Sequence, residues 1–177
     1  MAVSGYLKVD PKQKYASEWG HSSDRERVAQ DWLRLLYITD VVPCGNGTLI
    51  ESRIPGYHTD ISDRFDFYSP SLGIYFEVTG SQWTKRKSAE RFENPILAVL
   101  KAKVDDAYSY GLEDRLWFIF VAEIQGEVRF IKCSEARKHP LVDYARGEGP
   151  YYGVPWMNWL PPFRFQLELL RRGEGSK

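Results

Sequence analysis

Residues 64–79 read RFDFYSPSLGIYFEVT, and this stretch decides the fold. Arg64-Phe65-Asp66-Phe67-Tyr68 and Ile74-Tyr75-Phe76-Glu77-Val78-Thr79 both alternate apolar and polar side chains, the period of a half-buried strand. Between them Ser69-Pro70-Ser71-Leu72-Gly73 is a turn-forming spacer, so the two runs are expected to form an antiparallel hairpin. A period of two puts Phe65 and Phe67 on one face of the first strand and Arg64, Asp66 and Tyr68 on the other. On the second strand Ile74, Phe76 and Val78 share a face, and Tyr75, Glu77 and Thr79 share the opposite one. A hairpin centred on the spacer then sets Asp66 across from Glu77.

Like charges directly opposed across a sheet destabilise it. Two facing carboxylates call for a shared proton, a neighbouring basic group or a bound divalent cation. The cation is the functional reading: hard oxygen ligands suit Mg²⁺ or Mn²⁺, which take substrate phosphates as further ligands and activate water for phosphodiester hydrolysis. The plain reading is that both carboxylates face solvent on an amphipathic hairpin, with Arg64 as a counter-charge.

Upstream of the hairpin, Ser23-Asp24-Arg25-Glu26 fits a capping box, and Val28, Trp32, Leu35 and Leu36 follow at helical spacing, so a first helix is expected to end near Ile38. Thr39 to Pro43 reads as an edge strand, and the glycines and proline of Cys44 to Asp60 as a long connection. Downstream, a basic stretch from Gln82 to Arg91 leads to Asn94-Pro95, an N-cap and a first-turn proline that predict a second helix through about Tyr110, closed by Gly111. The apolar run Leu116 to Ile124 predicts a strand buried on both faces, turned by Gln125-Gly126 into Glu127 to Cys133. Helix, edge strand, hairpin, helix and hairpin in that order predict an α/β fold, a mixed central sheet flanked by helices.

With 177 residues and 43% hydrophobic content the chain is long enough for one core. We divide it into an N-terminal arm at 1–20, an α/β core at 21–135 and an aromatic-rich C-terminal extension at 136–177, packed on the core or at a dimer interface. The formal net charge of zero removes any global attraction to polyanions, so nucleic-acid affinity must come from local patches. No run reaches the eighteen or so apolar residues of a membrane span and the N-terminus lacks a signal-type apolar segment; an intracellular, non-secreted protein is expected. Cys44 and Cys133 are isolated, which argues against a disulfide framework or a structural zinc site.

Asp66, ten residues, then Glu77-Val78-Thr79, with a preceding helix that carries Glu26 and a following helix and hairpin, resembles the PD-(D/E)xK nuclease superfamily, most nearly its archaeal Holliday-junction resolvase branch. The resemblance covers roughly Ser23 to Glu135 and implies a restriction-endonuclease-like fold and a divalent-metal-dependent nuclease, with DNA as the expected substrate. It implies that Asp66 and Glu77 bind the metal, that the Val78 carbonyl helps, and that Glu26 completes the site; Glu26 also fits a purely structural place in the capping box. Thr79 departs from the motif, which has a lysine there. Either another cation replaces it, with Lys85 or Lys87 nearest and Arg64 a further candidate, or the fold is catalytically weak or inactive and serves as a nucleic-acid-binding or subunit protein.

The densest basic patch, Lys85-Arg86-Lys87 with Arg91, follows Trp83 and is the expected phosphate-binding surface, unless it is an ordinary solvated loop. Trp83, Tyr151, Tyr152, Trp156 and Trp159 are candidates for stacking on unpaired bases, or for core and dimer packing. The resemblance further implies a homodimer. His58 and Asp60 are weaker candidates for extra ligands or a general base.

Overall fold

The computed structural model describes residues 24–45, 64–81, 96–122, 126–143 and 149–174. Helix α1 (24–35) is followed by β1 (Val42–Pro43), β2 (Phe67–Ser69), β3 (Ile74–Ser81), β4 (Ile96–Leu100), α2 (Lys101–Ser109), β5 (Leu116–Ala122) and β6 (Glu127–Lys132). A single turn, α3 (Cys133–Ala136), then leads to β7 (Leu141–Asp143), β8 (Pro150–Pro155) and α4 (Pro162–Glu174). Among the described residues no helix is long and apolar enough to cross a membrane.

Among the described residues the main sheet has five strands in the order β1-β2-β3-β5-β6, in which β3 and β5 pair parallel. The 64–79 stretch forms the antiparallel hairpin its alternation predicts, with Phe67 opposite Phe76 and Tyr68 opposite Tyr75. Asp40, just after α1, fixes the turn: its carboxylate accepts the Ser69 hydroxyl at 2.8 Å and the Ser71 N–H at 2.6 Å. Strand β5 is buried along its whole length, as its unbroken apolar run requires. β1 is the expected edge strand.

Each face of this sheet carries its own apolar cluster. On one, α1 and α4 pack Ala29, Leu33 and Phe165 against Phe67, Phe76, Trp117 and Phe130. Phe165 stacks on Phe130 at 4.0 Å and meets Trp117 edge-on at 4.9 Å, and the Trp32 indole N–H donates to the Gly126 carbonyl at 2.9 Å. On the other face, α2 and a second sheet pack Leu97, Val99, Val104, Tyr152, Val154 and Trp159 against Phe65, Phe118 and Phe120. The result is an α/β fold with a mixed central sheet between helical layers.

Two local expectations are corrected. The helix expected from Asn94 to Tyr110 begins only at Lys101, because Ile96–Leu100 is a strand. It alternates along its length, buries Leu97 and Val99, and pairs antiparallel with β8 in a three-stranded sheet ordered β4-β8-β7. The second correction is that Phe65 and Phe67 do not share a face. Regular strand geometry starts at Phe67, so Phe65, two residues before the ladder, turns into the α2 side while Phe67 packs on the α1 side.

The C-terminal residues are woven into both cores. Strand β8 is the central strand of the second sheet, Tyr152, Val154 and Trp159 lie in the α2-side cluster, and Phe165 lies in the other. Cys44 and Cys133 are buried and not joined in a disulfide, and burial, reinforced by the nearby Glu113 charge, pushes the Cys133 thiol up to about 12.

Candidate functional site

The β2–β3 register, continued by one step, brings Asp66 opposite Glu77 on the sheet face that α2 covers. Backbone bonds hold Asp66 at the end of β2. Its N–H donates to the Phe76 carbonyl at 3.0 Å and its carbonyl accepts the Cys44 N–H at 2.9 Å. The Val78 N–H donates to one carboxylate oxygen, Oδ2, at 2.7 Å, so Val78 is tied to the site through its amide. Gly45 passes close by: a Cβ there would stand 3.4 Å from the other carboxylate oxygen.

Glu77 is central on β3, its side chain only 13% exposed, and α2 brings a cation directly to it. Lys103 Nζ lies 3.0 Å from Glu77 Oε1 and 3.1 Å from Oε2, and also donates to the Arg64 carbonyl. The Phe65 ring, its centroid 5.9 Å from the ammonium, closes one side. Lys103 reaches this place because β4 runs straight into α2: Leu100 is still extended (ψ 122°), and the first turn carries Lys103 next to the buried Val104.

The electrostatics follow from burial and proximity. Burial, then the charge of Asp66, hold Glu77 well above the usual carboxylate range; Lys103 opposes the shift and Glu26 adds to it. Burial likewise raises Asp66, against the pull of the Val78 hydrogen bond and of Lys103. For Lys103, burial works to lower the pKa, but the Glu77 and Asp66 charges outweigh it and the net shift is upward. The group is therefore two neighbouring carboxylates with one ammonium paired to Glu77, and with both carboxylates ionised it would carry an excess of negative charge.

Glu26, on the first turn of α1, is close enough for its charge to act on Glu77. Among the described residues no three His, Cys, Asp or Glu side chains converge as a metal cluster, so the hard-oxygen donors in place are the Asp66 and Glu77 carboxylates. Such a pair suits Mg²⁺, which is commonly held by one or two carboxylates together with waters and substrate phosphates. Thr79 sits on the same face of β3 as Glu77, opposite Phe120 of β5. Arg64 is not the pair's counter-charge: it binds Asp106 at 3.0 Å and lies over the Tyr110 ring.

Lys85, Lys87, Trp83, Arg86 and Arg91 lie outside the described residues, as do His58 and Asp60. The lysine that sequence reasoning missed is Lys103. Its signal was present: Leu100, Val104 and Ala107 form an apolar stripe at i, i+4, i+7, and Lys103 takes the i+3 place in it. A lysine in a buried stripe calls for an acidic partner.

The model of the viral/archaeal nuclease family matches residues 29–152. Uncharacterized protein D-244 of Sulfolobus spindle-shape virus 1 is 30% identical over 102 residues, which are 52% of this chain and 41% of that protein, so the chain spans about two-fifths of the relative's length. Among solved structures, D212, a nuclease from a fusselovirus, superposes with a TM-score of 0.54 at 17% identity, covering 98% of this chain and 100% of the other. That likeness is one of fold, a restriction-endonuclease-like arrangement.

Proposed function

The chain belongs to the viral/archaeal nuclease family, and from that premise we propose that it is a divalent-metal-dependent endonuclease of the PD-(D/E)xK kind, acting on DNA, with Asp66 and Glu77 as metal ligands. The observation that carries this reading is the Asp66–Glu77 pair with Lys103 3.0 Å from Glu77. Facing carboxylates on adjacent strands carry more negative charge than one ammonium neutralises, and a hard dication offsets the remainder. When bound, Mg²⁺ or Mn²⁺ would stabilise charge on the scissile phosphate and lower the pKa of an attacking water.

The chain's own residues supply the rest. The Val78 N–H and the Cys44 N–H fix Asp66, so its other carboxylate oxygen is pre-oriented and loses little entropy on binding. Lys103 takes the part that the motif gives to a lysine at Thr79: it is a positive charge at the reacting centre, delivered from a helix instead of the strand. It orients Glu77 and offsets charge that grows on the phosphate.

The test is cleavage of linear, nicked and branched DNA, and of RNA, with Mg²⁺, Mn²⁺ or chelator. Cleavage that needs the metal and is abolished in Asp66→Asn and Glu77→Gln is expected; cleavage that survives either change would remove the pair from the mechanism. Thr79 favours one second reading, a nuclease fold kept for binding alone. Binding without cleavage on every substrate and metal would establish that reading instead.

A further inference from the structure

The sheet face that carries Glu77 continues past the site. Thr79 on β3 pairs with Phe120 on β5, which pairs with Arg129 on β6, so these three form one row across the sheet. Their common face follows from burial: Phe118 and Phe120 lie in the α2-side cluster with Ile131, whereas Val128 and Phe130 lie in the other, which puts Arg129 on the side of Glu77 and Thr79. Two strand spacings separate Thr79 from Arg129, about 9.5 Å.

Arg129 is held there by an aromatic base. Its guanidinium lies 4.5 Å from the Trp156 ring centroid, and Trp156 in turn meets Phe120 edge-on at 6.3 Å. Among the described residues no carboxylate pairs with Arg129, although Lys103 is engaged with Glu77 and Arg64 with Asp106 on the same side of the molecule. A guanidinium over an indole leaves N–H donors of its planar fork for phosphate oxygens.

We propose that Arg129, seated on Trp156, contacts a backbone phosphate of the nucleic-acid strand that crosses the site, away from the phosphate being cut. The assignment rests on the nuclease reading and extends it: the chemistry stays at Asp66 and Glu77, and Arg129 is a positioning cation outside them, beyond the buried Phe120 and its neighbour Trp156. Lys103, held at Glu77, serves the phosphate being cut, so a neighbouring phosphate on the same strand needs a cation of its own.

The test is equilibrium binding of fluorescein-labelled single-stranded and duplex DNA to the full chain in chelator, over a series of salt concentrations. Arg129→Met is expected to weaken binding about tenfold and to flatten the slope of log affinity against log salt by about one, the value of one phosphate contact. Arg129→Lys should restore the slope while recovering only part of the affinity, since it keeps the charge without the fork. If Arg129 merely packs on Trp156, both variants will bind with the wild-type slope, and the proposal is overturned; it also falls if the wild-type protein binds neither DNA. A wild-type protein that binds but does not cut leaves this slope comparison intact, so loss of the nuclease reading and loss of the Arg129 contact give separate signatures.

Discussion

Lys103 is the side chain on which the site turns, and its removal has two consequences of different kind. Lys103→Met leaves Glu77 and Asp66 without their ammonium, and a broken buried pair costs about 3–5 kcal/mol when the remaining charge cannot escape. Here Glu77 escapes by taking up a proton, so the measured loss in urea denaturation should fall near the low end of that range, about 3 kcal/mol. Cleavage should drop by about two to three orders of magnitude, the size of losing one charge-stabilising donor, and Lys103→Arg should recover part of it. An unchanged cleavage rate in Lys103→Met would return the role to a residue outside the described ones. The same residue shows what the sequence conceals: the helical stripe around Lys103 is visible in it, the partner is not. Asp66 and Glu77 are legible because they interrupt a period-two pattern within one hairpin; Lys103 lies 26 residues from Glu77 and joins it only through packing of α2 on the sheet. The pH dependence belongs to the same group. Glu77 has a folded pKa raised by burial and by Asp66, so the folded chain keeps a proton that the unfolded chain has already released. Stability in metal-free buffer should therefore fall as pH rises from the ordinary 4.5 through the folded value, and Glu77→Gln should make that decline smaller. Lys103 acts at the other extreme: its raised pKa stabilises fully below the ordinary 10.5, and that contribution is lost as pH climbs through the folded value.

At the scale of elements, the parallel β3–β5 pair sets the position of everything on the site face, and Gly80 keeps the two strands together. A Cβ at Gly80 would stand 2.4 Å from the Val121 carbonyl oxygen and 3.1 Å from Arg25 Cδ. The first neighbour is backbone and cannot swing away. Gly80→Ala should therefore push β3 from β5, cost about 1–3 kcal/mol in urea denaturation and reduce cleavage through displacement of Glu77, three residues earlier on the same strand. Wild-type stability in this variant would mean that the strands part here without strain. The hairpins and the buried strand are legible because short-range pattern determines them: alternation in 64–79, an unbroken apolar run at Leu116–Ala122. Ile96–Leu100 is not legible, for a physical reason. Five apolar residues followed by a helical stretch fit a helix start as well as a strand, and the choice is made by β8, which pairs with Ile96–Leu100 residue by residue from the far end of the chain.

For the molecule as a whole, the face that carries Asp66 and Glu77 does not stand on residues before 136 alone. Strand β8 pairs with β4 along all five residues, and β4 leads without a break into α2, which carries Lys103. Trp159, Tyr152 and Val154 fill the cluster beneath α2, while Phe165 sits between Phe130 and Trp117 on the other face of the same sheet. Removing residues 136–177 thus uncovers both cores and unpairs the strand that aims Lys103. A chain ending at Glu135 is expected to give no cooperative unfolding transition by circular dichroism and no cleavage. Misfolding of a truncated chain is a blunt result, so a point substitution gives the sharper one: Phe165→Ala in the full chain should cost about 3–5 kcal/mol, as for a buried phenylalanine, while cleavage at low temperature persists because Phe165 touches none of Asp66, Glu77 and Lys103. A cost below 1 kcal/mol, or a 1–135 chain that unfolds cooperatively and cuts, would show instead that α4 and β8 are appended to a core complete without them.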